Sequence, residues 1–248
     1  MFWNVVIGLP FWLAILANNK NQIRSLEKRD YSILAGIVLV SSITQTLIDM
    51  LAIKYTPAIN YSFLTRTAVL FTFVFAAAFL AEKLTRRKIA IAAVIVGGAW
   101  LLTTGGQSIS IGIGDALTIL DAALISFGNT ILGKMATARM KPMFVVSATA
   151  VGAALPEAGL ALYLGHTIAV NNILLVFSLV FLYLVLNSIR FIAYKYASAA
   201  MVASFMSLTP FIVLLLAVPL LGESMSPIQL AGGFLVMAAS IFAVKSKI

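Results

Sequence analysis

Apolar runs of about 17 to 22 residues recur along almost the whole of this 248-residue chain. Each is long enough, at about 1.5 Å per residue, to cross a hydrocarbon core of about 30 Å as a helix. Nine such helices are expected, near 2–17, 32–53, 60–81, 87–104, 113–133, 143–164, 172–193, 199–221 and 227–244. The breaks between them carry turn or loop signals, among them Asn18-Asn19-Lys20-Asn21, Tyr55-Thr56-Pro57 and Gly105-Gly106-Gln107-Ser108. The first run is short and holds Pro10, which is expected to kink it. The fold class that follows is all-α, a polytopic helix bundle in a lipid bilayer.

Composition removes most other classes. The chain is 62% hydrophobic and 10% charged, whereas a soluble domain carries roughly a quarter charged residues. The net charge of +9 reads as loop charge on one side of a membrane rather than as a nucleic-acid surface. With no cysteine, disulfides, thiol catalysis and thiolate metal sites are excluded. The single histidine, His166, falls in a short loop with no second ligand nearby in sequence, so neither a metal site nor a histidine triad is expected. No Walker-type lysine motif is present to support an ATP-driven pump. The expectation is a non-enzymatic protein without a cofactor. Met1-Phe2-Trp3-Asn4 lacks a basic segment and no small-residue cleavage site follows, so the first run is expected to be a retained helix.

Direction through the membrane follows from lysine and arginine, because basic loops resist translocation. With the N-terminus outside, the cytoplasmic side holds Lys20, Arg24, Lys28, Arg29, Lys83, Arg86, Arg87, Lys88, Lys134, Arg139, Lys141, Lys195, Lys245 and Lys247. The outer loops then hold only Lys54, and Arg66 and Arg190 fall inside spans. The expected placement is multi-pass in the plasma or inner membrane, with the C-terminus cytoplasmic.

The chain also resembles itself. Displaced by 141 residues, Lys54-Tyr55 falls on Lys195-Tyr196 and Glu82 falls on Glu223, each glutamate 27 residues after its tyrosine. Ala52, Ala58, Ala76, Leu80 and Ala90 meet Ala193, Ala199, Ala217, Leu221 and Ala231. By the topology above Glu82 is cytoplasmic and Glu223 external, so the two copies run oppositely through the membrane. Residues 1–104 form the first repeat, with four helices, and 105–248 the second, with five. Inverted repeats in a very hydrophobic chain are the sequence sign of a secondary transporter.

Two segments carry a family likeness: Leu80-Ala81-Glu82-Lys83-Leu84-Thr85 followed by Gly97-Gly98, and Leu220-Leu221-Gly222-Glu223-Ser224-Met225-Ser226-Pro227 followed by Gly232-Gly233. Together they resemble the drug/metabolite transporter superfamily, specifically its EamA-type members. Ala193-Tyr194-Lys195-Tyr196-Ala197-Ser198-Ala199 resembles the stretch before the penultimate helix of that family, and Gly114-Asp115 the opening of its sixth helix. The resemblance implies ten helices in two inverted five-helix repeats, and export of amino acids or related metabolites, often driven by an ion gradient. Residues 1–17 align with the family's second helix. Either the start of the chain lies upstream, or this is a nine-helix variant whose gap a second copy or another partner fills.

The repeated glutamates have a structural reading. Glu82 and Glu223 stand where one helix ends and the next begins, and both are expected to brace those turns. Thr85 can cap the helix after the first, while Ser226, Pro227 and Gln229 form a capping box after the second. The Gly97-Gly98 and Gly232-Gly233 pairs allow close helix approach rather than phosphate binding.

Ionisable groups at membrane depth cost on the order of 3 kcal/mol each and need a reason. Asp49 and Arg66 lie about one turn inside the outer boundary on neighbouring helices, where two readings stay open: a mutual ion pair, or each reaching outward alone. Asp121 and Glu157 lie deeper, about two turns in, where a carboxyl group can exchange protons, bind a substrate amine or serve as a hydrogen-bonded structural group. Pro156 beside Glu157 disturbs its helix, and Arg190 is expected to reach the cytoplasmic surface. Gln45, Asn129, Tyr183, Asn187 and Thr209 add uncharged polar groups that could line a path, and Pro210 suits a mid-helix break. The functional expectation is a secondary transporter of small metabolites working by alternating access, with proton coupling through the buried carboxylates. The alternative is a non-transporting membrane subunit or the partner-dependent half of a transporter. A membrane-embedded lipid enzyme is disfavoured by the dispersed acids and lone histidine.

Overall fold

The fold is described from a computed structural model over residues 2–108, 112–163, 173–221 and 226–245. His166 and Glu223 lie outside the described residues. Every element found in them is helical, as the apolar runs require. Apart from the single turn Lys20–Arg24 we label them α1 (Phe2–Asn18), α2 (Lys28–Tyr55), α3 (Ala58–Phe79), α4 (Arg86–Thr104), α5 (Ile113–Arg139), α6 (Pro142–Tyr163), α7 (Ile173–Tyr196), α8 (Ala199–Met206), α9 (Thr209–Leu221) and α10 (Pro227–Lys245). Helices α2 to α7 are the 6 described helices long and apolar enough to cross a membrane, and the other apolar stretches, Val6–Asn18, Ala199–Val213 and Pro227–Ala243, are shorter. The expected span 199–221 is interrupted at Ser207-Leu208, one turn ahead of Pro210, whose ring nitrogen has no hydrogen to give to the helical ladder. Pro10, by contrast, sits inside the α1 helix.

Helices α2 and α5 each contain a wide π turn, over Val38–Thr44 and Ile125–Leu132. Nothing in the hydrophobic period announces them. The chain divides into two compact units, and each π turn falls at a division: unit 1 is Met1–Thr44 with Leu132–Tyr196, and unit 2 is Gln45–Ile131 with Ala197–Ile248. Each unit therefore draws on both of the segments 1–104 and 105–248.

Within unit 1, α1 packs on α6 and α7 and buries Trp12 to 3% exposure. Gly133 on α5 leaves room for the buried ring of Tyr194, whose atoms lie 3.0 Å from where a Cβ would stand. Arg139 ends α5 with its Nε donating to Asp30 Oδ1 at 2.5 Å and its Nη2 to Glu27 Oε2 at 2.6 Å. Asp30 also accepts the Glu27 N–H at the start of α2, so one guanidinium ties the two helix ends together.

Unit 2 is built on the α4–α10 pair. Ile91, Ile95, Ala99, Val236, Ala239 and Ala243 form its core with Val69 and Phe73 from α3 and Ala200 from α8. Small residues bring the two backbones together: a Cβ on Gly98 would meet Gly232 O at 2.9 Å, and one on Gly232 would meet Gly98 O at 2.6 Å. The anticipated capping holds in both places. Thr85 Oγ1 accepts from Lys88 N at 3.3 Å, and Ser226 and Gln229 close a reciprocal box at 2.9 and 3.3 Å.

Candidate functional site

The opening of α5 is fixed by two adjacent residues. Gly114 lies against the end of α2, so closely that a Cβ would stand 2.2 Å from Tyr55 O, and only glycine permits that approach. Asp115 accepts the exposed Gly112 N–H at 2.6 Å, satisfying one donor of the helix start, and takes Asn60 Nδ2 at 3.2 Å. With α5 docked in this way, its next inward turns face α2 and α3 inside unit 2.

Two turns along, Asp121 is 0% exposed. Its Oδ1 accepts from Gln45 Nε2 at 2.8 Å, while its Oδ2 is buried with no hydrogen-bond partner. Gln45 and Asp49 are one turn apart on the same face of α2, and Asp49 accepts the hydroxyl of Tyr61 from α3. Arg66, half-buried on α3, turns its Nε to Ser62 O at 3.4 Å. The Asp49–Arg66 pair is absent from the salt bridges among the described residues: Tyr61 is the nearer donor on α3, and Arg66 bonds within its own turn. Gln45, Asp49, Tyr61, Arg66 and Asp121 thus form a polar group within unit 2. A carboxylate oxygen left without a donor at this depth is costly. A proton or a cationic group bound there removes that cost.

The remaining expected residues are placed as follows. Asn129 is half-buried in the π turn of α5, also in unit 2. Glu157, Tyr183 and Asn187 belong to unit 1. Glu157 is half-buried one residue after Pro156 on α6, Tyr183 is 46% exposed on α7, and Asn187 accepts from Arg190 Nη2 one turn further on. Glu82 braces more than its own turn. Its Oε1 accepts the backbone N–H of Ala199, the first residue of α8, at 2.9 Å, and Lys88 Nζ lies 3.4 Å from its Oε2. A carboxylate on the N-terminal end of a helix is favourable for the unpaired N–H groups and the helix dipole. The chain reaches it through Ala81, which adopts the left-handed backbone at φ 55. Glu82→Ala should therefore lower stability by about 1 kcal/mol, with Glu82→Gln losing less, read as the thermal midpoint of the detergent-solubilised protein.

Sequence reasoning passed over Tyr61, Thr118 and Ser126. Tyr61 lies near the start of an apolar run and carried no pattern of its own. Thr118 stands three residues from both Asp115 and Asp121, a helical spacing that would have revealed it, whereas Ser126, five residues beyond Asp121, falls in the π turn and keeps no such spacing.

Long apolar helices enclosing a small set of polar and charged side chains define a multi-pass membrane protein. The EamA-like transporter family matches residues 1–104 and 113–245. The chain belongs to that family, and so to the drug/metabolite transporter superfamily, whose members are membrane transporters rather than enzymes. A solved crystal structure of a protein superposes with a TM-score of 0.77 at 15% identity, over 98% of this chain and 86% of that one, a likeness of fold. No curated protein sequence matches the chain.

Proposed function

We propose that this protein is a proton-coupled secondary exporter of small metabolites, such as amino acids or related compounds, and that Asp121 is the group that takes up and releases the coupling proton. The observation that carries the reading is the Asp121 carboxyl, wholly enclosed, held through one oxygen by Gln45 and left with the other oxygen unpartnered. Gln45, Asp49, Tyr61 and Arg66 supply the polar surroundings, and Glu157, Asn129, Tyr183 and Asn187 are further candidates along the solute path. In this reading the copies 1–104 and 105–248 are inverted repeats in the plasma or inner membrane, with the N-terminus outside.

Alternating access is supported by the two π turns. A π turn loosens the hydrogen-bond ladder of a helix and often marks a functional position. Here both lie where α2 and α5 pass from one unit to the other. The test is flux from proteoliposomes loaded with mixed amino acids and common metabolites, against protein-free vesicles, with and without an imposed proton gradient. Selective depletion of one compound, faster with the gradient, is the expected result. Undiminished contents from folded protein overturn the reading.

A further inference from the structure

Helix α5 carries a polar stripe within unit 2 that extends well beyond Asp121. Asp115, Thr118, Asp121 and Ser126 are 3%, 0%, 0% and 0% exposed. Each meets a polar side chain from another part of the unit. Asn60 Nδ2 lies 3.2 Å from Asp115, Thr56 Oγ1 is 3.0 Å from Thr118 Oγ1, Gln45 Nε2 is 2.8 Å from Asp121, and Thr72 Oγ1 is 2.7 Å from Ser126 Oγ. The stripe runs about 16 Å along the helix axis, at 1.5 Å per residue. Close packing alone does not call for it, since alanine and glycine bring membrane helices together as well. At one end it approaches the surface: Gly112 is exposed, Ile113 is 85% exposed, and Gly112 donates directly to Asp115.

We propose that protons reach Asp121 from this Gly112–Asp115 end of α5, through the hydroxyl pair of Thr56 and Thr118. The proposal rests on the reading of Asp121 as the proton-exchanging group. Thr118 Oγ1 donates to Gly114 O at 3.0 Å, which leaves its lone pairs free to accept the hydrogen of Thr56. A hydroxyl both donates and accepts, so when Thr118 turns its hydrogen from Gly114 O towards Asp121 it gives up that proton as it takes one from Thr56, Thr56 takes one in turn from the Gly112–Asp115 end, and both hydroxyls reset by rotation. Thr118 and Asp121 are three residues apart and share a helix face, a step that one bridging water can span. The unpartnered Asp121 Oδ2 is the acceptor at the end of the path. The other ionisable groups acting electrostatically in this cluster are Asp49, Tyr61 and Arg66. The Asp49–Tyr61 bond is the competing route. Ser126 and Thr72 lie beyond Asp121, on the side away from the proposed access point.

The experiment is infrared difference spectroscopy on the full chain in liposomes, following the protonated-carboxyl stretch after a pH jump and its exchange in D2O. A carboxyl band that disappears in Asp121→Asn identifies the group. Thr118→Val, nearly isosteric, should slow exchange of that band by about tenfold, the rate cost of removing a hydrogen-bonded step. Thr118→Ser should restore it, Ser126→Ala should leave it unchanged, and circular dichroism should show each variant folded. A band that exchanges at the wild-type rate in Thr118→Val, or that slows in Ser126→Ala instead, overturns the path while leaving Asp121 as the proton site. The absence of any Asp121-dependent band removes the proton reading itself and the path with it.

Discussion

Gly232→Leu should leave almost no folded protein. Gly232 sits where α10 crosses α4, and a Cβ there would stand 2.5 Å from Leu102 N and 2.6 Å from Gly98 O. Both are backbone atoms, so no rotamer change relieves the clash. The helices must separate, and the enclosed residues Ile95, Ala99 and Val236, each 0% exposed, separate with them. Between helices in lipid there is no water to expel, so the attraction comes chiefly from close packing, and a gap removes it directly. Overpacking a well-filled site costs about 1–3 kcal/mol, which Gly232→Ala should approach, and the longer leucine should exceed it. Gly97→Ala is the matched control, because a Cβ at Gly97 meets nothing within 4 Å. The measurement is the monodisperse fraction recovered in detergent, with its thermal midpoint. A wild-type midpoint for Gly232→Leu would mean that the α4–α10 crossing does not hold the unit together.

The same glycines show where the sequence was legible and where it was not. Composition and run length were enough for an all-helical membrane chain, and short-range chemistry was enough for the caps at Thr85 and Ser226. These features depend on residues within a turn of each other. The Gly97-Gly98 and Gly232-Gly233 pairs signalled close approach, but the sequence could not say which member of each pair faces the neighbouring helix. The structure gives Gly98 and Gly232 to the α4–α10 crossing, and sets Gly233 against the Phe211 ring. That choice depends on helix rotation, which no local pattern records. Glu82 is similar. Its place at a turn was readable, but its bond to Ala199 N, 117 residues away, depends on packing between distant helices.

At the site, charge at membrane depth singled out Asp49 and Asp121 without their partners. Opposite charge on a neighbouring helix made an Asp49–Arg66 pair one of two open readings, and the hydroxyl of Tyr61 takes that position instead. Asp121 was legible because a carboxylate in an apolar run demands a reason. Gln45 could be listed as polar but not assigned to it, since 76 residues separate the two. The π turns were invisible for another reason. The helical period of a membrane run is read from polar positions, and such runs contain too few to show one extra residue.

Asp121→Asn should abolish gradient-driven export while leaving the protein folded. Asparagine retains a carbonyl oxygen able to accept from Gln45 Nε2, so the 2.8 Å bond that holds the side chain survives. What is lost is the second oxygen, replaced by an amide that neither takes up nor releases a proton. One charge moved across 100 mV is worth about 2.3 kcal/mol, enough for roughly a fiftyfold concentration ratio of exported solute. Without the exchangeable carboxyl that ratio should collapse to the value reached in the absence of a gradient, while passive solute exchange continues. Glu157→Gln should have the smaller effect, because Glu157 is only half-buried whereas Asp121 is completely enclosed. The decisive measurement is the steady-state ratio in proteoliposomes at a fixed proton gradient, with passive exchange followed in parallel. If the Asp121→Asn, Glu157→Gln double variant still sustains the wild-type ratio, neither carboxyl couples proton movement to transport. If the single Asp121 change removes the ratio and spares exchange, the enclosed carboxyl is where the gradient acts on the solute.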